Sequence, residues 1–176
     1  MIGRNEKLVN VIQGEFRISD DQDTVLSTVL GSCVAVCLTD PVAKVGGMNH
    51  FLLPQRAGKE GENVRYGAYS MELLINGLLK RGARKDRLVA KLFGGANMIK
   101  QLRDIGGSNV AFAKEFLQNE AIALASESTG GTSARRIRFW PTDARVKQFV
   151  VPGDVDTVAP VVAPQPQPES GEIVLF

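Results

Sequence analysis

Histidine is almost absent from this chain: His50 is the only one, and cysteine occurs only twice, as Cys33 and Cys37. If both cysteines lie on one strand, four steps part them by about 13 Å at roughly 3.3 Å per residue. A disulfide needs Cα atoms within about 7 Å, so none is expected while the strand holds. The same separation is too long for both thiolates to share one ion with His50, and no metal or other cofactor is expected. Aromatic residues make up only 6%, too few for a base-stacking platform. Charge of one sign is also lacking. Lys and Arg number 21 against 19 Asp and Glu, a net +2 that demands no acidic partner. Arg135, Arg136 and Arg138, with Lys80, Arg81, Arg84, Lys85 and Arg87, read as solvated faces, and nucleic acid is not an expected partner. No stretch approaches the roughly 20 apolar residues of a membrane span. Residues 1–15 are mixed and polar, without the apolar centre of a signal peptide. Direct membrane insertion is therefore not expected, and the cytoplasm is the expected location.

What is present suits a folded enzyme. A hydrophobic fraction of 44% and a charged fraction of 23% are ordinary globular values, and 176 residues suffice for one domain with a real core. Phe16 and Ile18 alternate with Glu15 and Arg17, predicting an early strand, and residues 24–30 read as a second. Residues 33–53 form one β-hairpin around Asp40-Pro41, apolar on both faces in places, as for central strands covered on both sides. Met71, Leu74, Ile75, Leu78 and Leu79 recur at helical spacing, with Gly82 as the stop. Residues 88–93 predict a short strand, broken by Gly94 and Gly95 before a helical stretch over 97–103. Asn109 reads as the cap of a further helix carrying Val110, Ala113, Phe116 and Leu117. Strands over 121–125, 135–140 and 145–151 close an α+β domain with a mixed, largely antiparallel sheet.

Residues 1–157 are read as this single domain and 158–176 as a tail. Pro160, Pro164, Pro166 and Pro168 make an extended spacer that ends in the apolar segment Ile173-Val174-Leu175-Phe176. Two expectations stand for that segment: a tethered docking peptide, or a segment that packs back on its own domain or stays disordered.

The chemistry concentrates at the hairpin. If Asp40 closes the turn against Ala43, Cys33 falls directly opposite His50, with Cβ atoms roughly 4.5–5.5 Å apart. An imidazole at that distance takes the thiol proton and stabilises the thiolate, the nucleophile that attacks carbonyl carbon. Gly31 lets the chain turn before Ser32 and Cys33, whose backbone N–H groups can hold a developing oxyanion. Taken alone, the residues also permit the plainer reading of Cys33 as a packing residue in an apolar strand.

The residues from Val29 to Leu38, with Gly31-Ser32-Cys33 among them, then Asp40-Pro41 and the run from Gly46 to Pro54, closely resemble the CheD family of bacterial chemotaxis. The likeness continues through Tyr66-Gly67, the run from Leu92 to Met98, Ile105-Gly106, Asn109 and Thr129-Gly130-Gly131, about residues 10 to 150 in order. The resemblance implies a chemoreceptor glutamine deamidase, a cysteine hydrolase that converts selected receptor glutamines to glutamates. Its nucleophile falls on Cys33 and its histidine on His50. The family's third residue, usually threonine, falls on Ser27, with Thr28 beside it. Also implied are a sheet packed between helical layers, with Cys33 and His50 on adjacent strands, and the cytoplasmic helices of chemoreceptors as partners. The same machinery would hydrolyse glutamyl methyl esters. The alternative is a non-catalytic binding module that regulates a CheC-type phosphatase.

Overall fold

Ten short strands and two helices build the domain in a computed structural model, which describes residues 5–99, 104–152 and 173–176. The strands are β1 (Lys7–Asn10), β2 (Phe16–Ser19), β3 (Thr24–Leu30), β4 (Val34–Asp40), β5 (Val45–Asn49), β6 (Val89–Gly94), β7 (Ala123–Thr129), β8 (Arg135–Phe139), β9 (Val146–Val150) and β10 (Ile173–Leu175). The helices are α1 (Glu60–Lys80) and α2 (Ile105–Asn119). Two five-stranded sheets result. A central one runs β2-β5-β4-β6-β7 and an outer one β1-β3-β8-β9-β10. Pairing is antiparallel except between β1 and β3 and between β6 and β7.

The alternation of side chains along β4 explains the layering. Val34, Val36 and Leu38 point to one face of the central sheet, against Met71, Leu74 and Leu78 of α1 and Ala113 and Leu117 of α2. Ala35 and Cys37 point to the other, where with Met48 and Phe93 they meet Leu26, Leu30, Ile137 and Phe139 of the outer sheet. Every residue of β4 is buried, as a strand covered on both sides requires. The α+β class holds, while the second cover differs from the helical layer that the family resemblance implied. It is a sheet, so the layers run helices, sheet, sheet. The buried–half-buried alternation of β8 is the mark of a sheet with one covered face.

The hairpin closes differently from expectation, and the cause is the Asp40 side chain. Its Oδ1 accepts from the N–H groups of Val42 and Ala43 at 2.9 and 3.0 Å. Its Oδ2 accepts from the Arg84 N–H and from Arg87 Nε, both at 2.9 Å. Those bonds widen the loop, so Asp40 pairs with Val45 rather than Ala43, and Cys37 with Met48. The same register reaches Val34 and Phe51. It places His50 opposite Ala35, two residues along the chain from Cys33. A displacement of an even number of residues leaves every side chain on its expected face. Cys33 and His50 therefore share the face toward the outer sheet as diagonal neighbours, a relation that typically spans roughly 7–8 Å.

Two further expectations are corrected. Asn109 does not cap a helix: α2 begins at Ile105, and its cap is Asp104, whose side chain accepts from the Gly107 N–H at 2.8 Å. Residues 97–99 are not helical, and 100–103 lie outside the described residues. The apolar C-terminal segment packs back on the domain. β10 pairs antiparallel with β9, and the Phe176 ring meets Phe93 edge-on, centroids 5.5 Å apart. Lys91 Nζ donates to the Phe176 carbonyl oxygen at 2.8 Å. The boundary expected at residue 157 falls outside the described residues.

Candidate functional site

The open end of the hairpin meets the outer sheet, and the candidate side chains Cys33, His50 and Thr28 gather there. His50 follows β5 and is buried. The turn over residues 11–15 grips its backbone: the His50 N–H donates to the Glu15 carbonyl at 3.1 Å, and the Gly14 N–H to the His50 carbonyl at 2.8 Å. The ring reaches across to β3. Its Nδ1 lies 2.8 Å from Thr28 Oγ1 and 3.1 Å from the Val11 carbonyl, to which the Thr28 hydroxyl also donates at 2.6 Å.

These contacts fix the tautomer. The Val11 carbonyl only accepts, and the single Thr28 hydroxyl proton is committed to it, so Nδ1 must carry the proton. Nε2 is left with its lone pair, the form a base needs. Burial pushes the His50 pKa below its ordinary value of 6.5, only partly opposed by the hydrogen bond to Val11, which keeps the ring neutral at pH 7.

The hydroxyl on His50 is thus Thr28's and not Ser27's. Thr28 shares a face of β3 with Leu26 and Leu30 of the inter-sheet core. Ser27, one residue away, points to the opposite face, and its backbone carbonyl accepts from the Val11 N–H at 2.8 Å.

Cys33 is half-buried just before β4. Its thiol donates to Gln13 Oε1 at 3.5 Å. Burial raises the Cys33 pKa above 9.0, against the lesser effect of its own backbone N–H, which favours the thiolate. Burial thus favours the neutral forms of both groups, in place of the ion pair the residue types suggested. Cys37 is fully buried in the inter-sheet core, where burial drives its thiol far from ionisation.

The turn that presents Cys33 is braced from behind. The Ala96 N–H donates to the Gly31 carbonyl at 2.9 Å, and the Gly95 N–H to the Cys33 carbonyl at 2.8 Å. Gly94 permits this approach, since a Cβ there would stand 2.2 Å from the Cys33 oxygen, at a φ of +108° that only glycine adopts readily. The Gly94-Gly95-Ala96 segment is therefore a structural brace for the turn that carries Cys33. Sequence reasoning missed two parts of this arrangement and gave the place of a third to its neighbour. The Val11 carbonyl is a main-chain acceptor with no residue-type signal, Gln13 is brought in by a turn, and Thr28 differs from Ser27 only in the face it occupies.

The arrangement can support thiol attack on a carbonyl carbon, with an imidazole as base and a backbone N–H near the developing charge. The family model for CheD chemotactic sensory transduction matches residues 52–148. A protein of Caulobacter sp. (strain K31) named "Probable chemoreceptor glutamine deamidase CheD" is 54% identical over 175 residues, covering 96% of this chain and 92% of its own. A Rhizobium meliloti (strain 1021) protein of the same name is 54% identical over 148 residues, covering 82% of this chain and 81% of its own. Among solved structures, Neisseria meningitidis protein NMB0706 aligns with a TM-score of 0.49 at 11% identity, over 73% of this chain and 65% of its own.

Proposed function

Because this chain belongs to the CheD family, we propose that it deamidates glutamine side chains on the cytoplasmic helices of chemoreceptors, with Cys33 as nucleophile and His50 as base. The observation that carries this reading is the pair of contacts at His50 Nδ1, 2.8 Å from Thr28 Oγ1 and 3.1 Å from the Val11 carbonyl: a proton held there leaves Nε2 basic on the face that Cys33 shares. His50 takes the thiol proton as Cys33 Sγ bonds to the amide carbon. The Cys33 N–H stands near the oxygen that gains charge. His50 then protonates the departing nitrogen, ammonia leaves, and a thioester remains. Water, deprotonated by the same imidazole, resolves the thioester to glutamate and frees the thiol. The receptor gains one negative charge per event. A glutamyl methyl ester would enter the same sequence with methanol as leaving group. The buried contact between Thr28 and His50 favours an enzyme over a non-catalytic module that regulates a CheC-type phosphatase. A cytoplasmic location belongs to the same proposal, because the substrate helices are the cytoplasmic ones.

Incubation with a chemoreceptor cytoplasmic fragment should release ammonia and give glutamines the mass gain of amide-to-acid conversion. Cys33→Ala should abolish this with the fold intact, and His50→Ala should cost at least about 100-fold. Normal turnover by a folded His50→Ala protein would remove the base assignment.

A further inference from the structure

The two arms of the site are tied together by one side chain. Asn109 is fully buried in the interior of α2, where asparagine is a poor helix former. Its Nδ2 donates to the Ser32 carbonyl at 2.8 Å, and its Oδ1 accepts from the Leu53 N–H at 3.0 Å. Ser32 immediately precedes the nucleophile, and Leu53 lies just beyond His50. With the Ala96 and Gly95 N–H groups, Asn109 completes a row of donors to three successive carbonyls, those of Gly31, Ser32 and Cys33. In a trans peptide the N–H points opposite to the carbonyl of the same unit. Holding the Ser32 oxygen toward α2 therefore turns the Cys33 N–H the other way, to the side of the thiol.

We propose that Asn109 is a positioning residue for the deamidation: by anchoring the Ser32 carbonyl, it aims the Cys33 N–H at the oxyanion. The proposal rests on Cys33 being the nucleophile. In the step concerned, the Sγ–carbon bond forms, the π pair of the amide carbonyl moves to its oxygen, and the thiol proton passes to His50. The oxygen then carries a full charge, and a fixed N–H is worth most at that moment. Of the three anchors only Asn109 acts through a side chain, so only its bond can be deleted by substitution alone. Leucine in its place could neither donate to Ser32 nor accept from Leu53, and would leave both buried groups unpaired.

The test compares reactions that do and do not create an oxyanion. Asn109→Ala and Asn109→Leu are assayed on a chemoreceptor cytoplasmic fragment, with a peptide bearing a side-chain aldehyde in place of the carboxamide, and with iodoacetamide. The aldehyde gives a tetrahedral adduct with its charge on oxygen, whereas iodoacetamide alkylates the thiol by displacement. The expected result is a kcat lower by about 10- to 100-fold, less than loss of a whole oxyanion donor. KM and the alkylation rate should stay near wild type, and aldehyde affinity should fall with kcat. An unchanged kcat, or alkylation falling in step with it, would overturn the proposal, the second outcome reducing Asn109 to support for the thiol. Should neither variant fold, the wild-type protein decides: on aldehyde binding the Cys33 amide proton must move downfield in the NMR spectrum, and an unmoved resonance overturns the assignment. Failure of the deamidase reading itself would appear separately, as turnover surviving in Cys33→Ala.

Discussion

Thr28 Oγ1 and His50 Nδ1 stand 2.8 Å apart inside the protein, and both face the carbonyl oxygen of Val11. The threonine therefore orients the ring without accepting a charge, and the backbone of the β1–β2 connection supplies the final acceptor. Thr28→Val keeps the shape and removes the hydroxyl. It should lower kcat about five- to tenfold, the worth of one hydrogen bond of ~1 kcal/mol, since Val11 still holds the ring in part. Ser27→Ala should leave kcat within about twofold. Steady-state kinetics on the two variants would settle the roles, and the reverse ranking would return the position to Ser27.

Acid should switch the enzyme off later than an ordinary histidine would. Burial lowers the His50 pKa in the folded protein, so the base stays neutral below pH 6.5, and the acid limb of kcat/KM should lie under that value. Stability follows the same sign. The unfolded chain binds the proton more readily, so the contribution of neutral His50 is complete above 6.5 and is lost as pH falls through the folded value. Melting temperature against pH should show this loss in the wild type and not in His50→Gln. An acid limb above 6.5 would contradict the burial argument.

Gln13 holds the resting thiol. The Gln13 residue is exposed, and its contact with Sγ is a single long hydrogen bond. Gln13→Ala should free the thiol and speed iodoacetamide labelling of Cys33 about two- to tenfold. Cys37 should stay unlabelled in the folded protein, because it is buried. Slower labelling would mean that Gln13 activates Cys33 instead of restraining it.

Removal of residues 173–176 should destabilise the domain. It strips a strand from β9 and uncovers Phe93 and Lys91. Phe176 is half-buried, so Phe176→Ala should cost about 2 kcal/mol, below the 3–5 of a fully buried ring. For a chain of this size that is a fall of about 4–8 °C in Tm. Thermal unfolding measures it, and an unchanged Tm would show that the ring contributes no net packing.

The parts legible in the sequence were those written in residue type and period. The helical recurrence from Met71 to Leu79, the alternation of Phe16 and Ile18 with Arg17 in β2, and the apolar run from Val34 to Leu38 in β4 each announce their element. What escaped was set by contacts without periodicity. β1 is a short strand of exposed and half-buried residues, defined by its parallel pairing with β3. The hairpin register depended on a carboxylate that binds four donors, where turn rules consider two backbone groups. The face on which the hydroxyl falls distinguishes Thr28 from Ser27, and the family alignment, which counts along the chain, does not register it. Asn109 carried the signal of a cap because asparagine usually caps, yet the packing of α2 on β4 and β6 put it to another use.

Asp40 lies at the closed end of the hairpin, a full strand length from Cys33, and touches nothing in the site. It nevertheless acts as the surveyor's datum for the proposed site. The offset between the two strands is measured from its side chain, and both Cys33 and His50 are read off that scale at the far end. Arg84 and Arg87 extend the dependence to the segment between α1 and β6. A change in this distant loop would therefore misalign Cys33 and His50 as two rulers slide past one another, with neither residue altered.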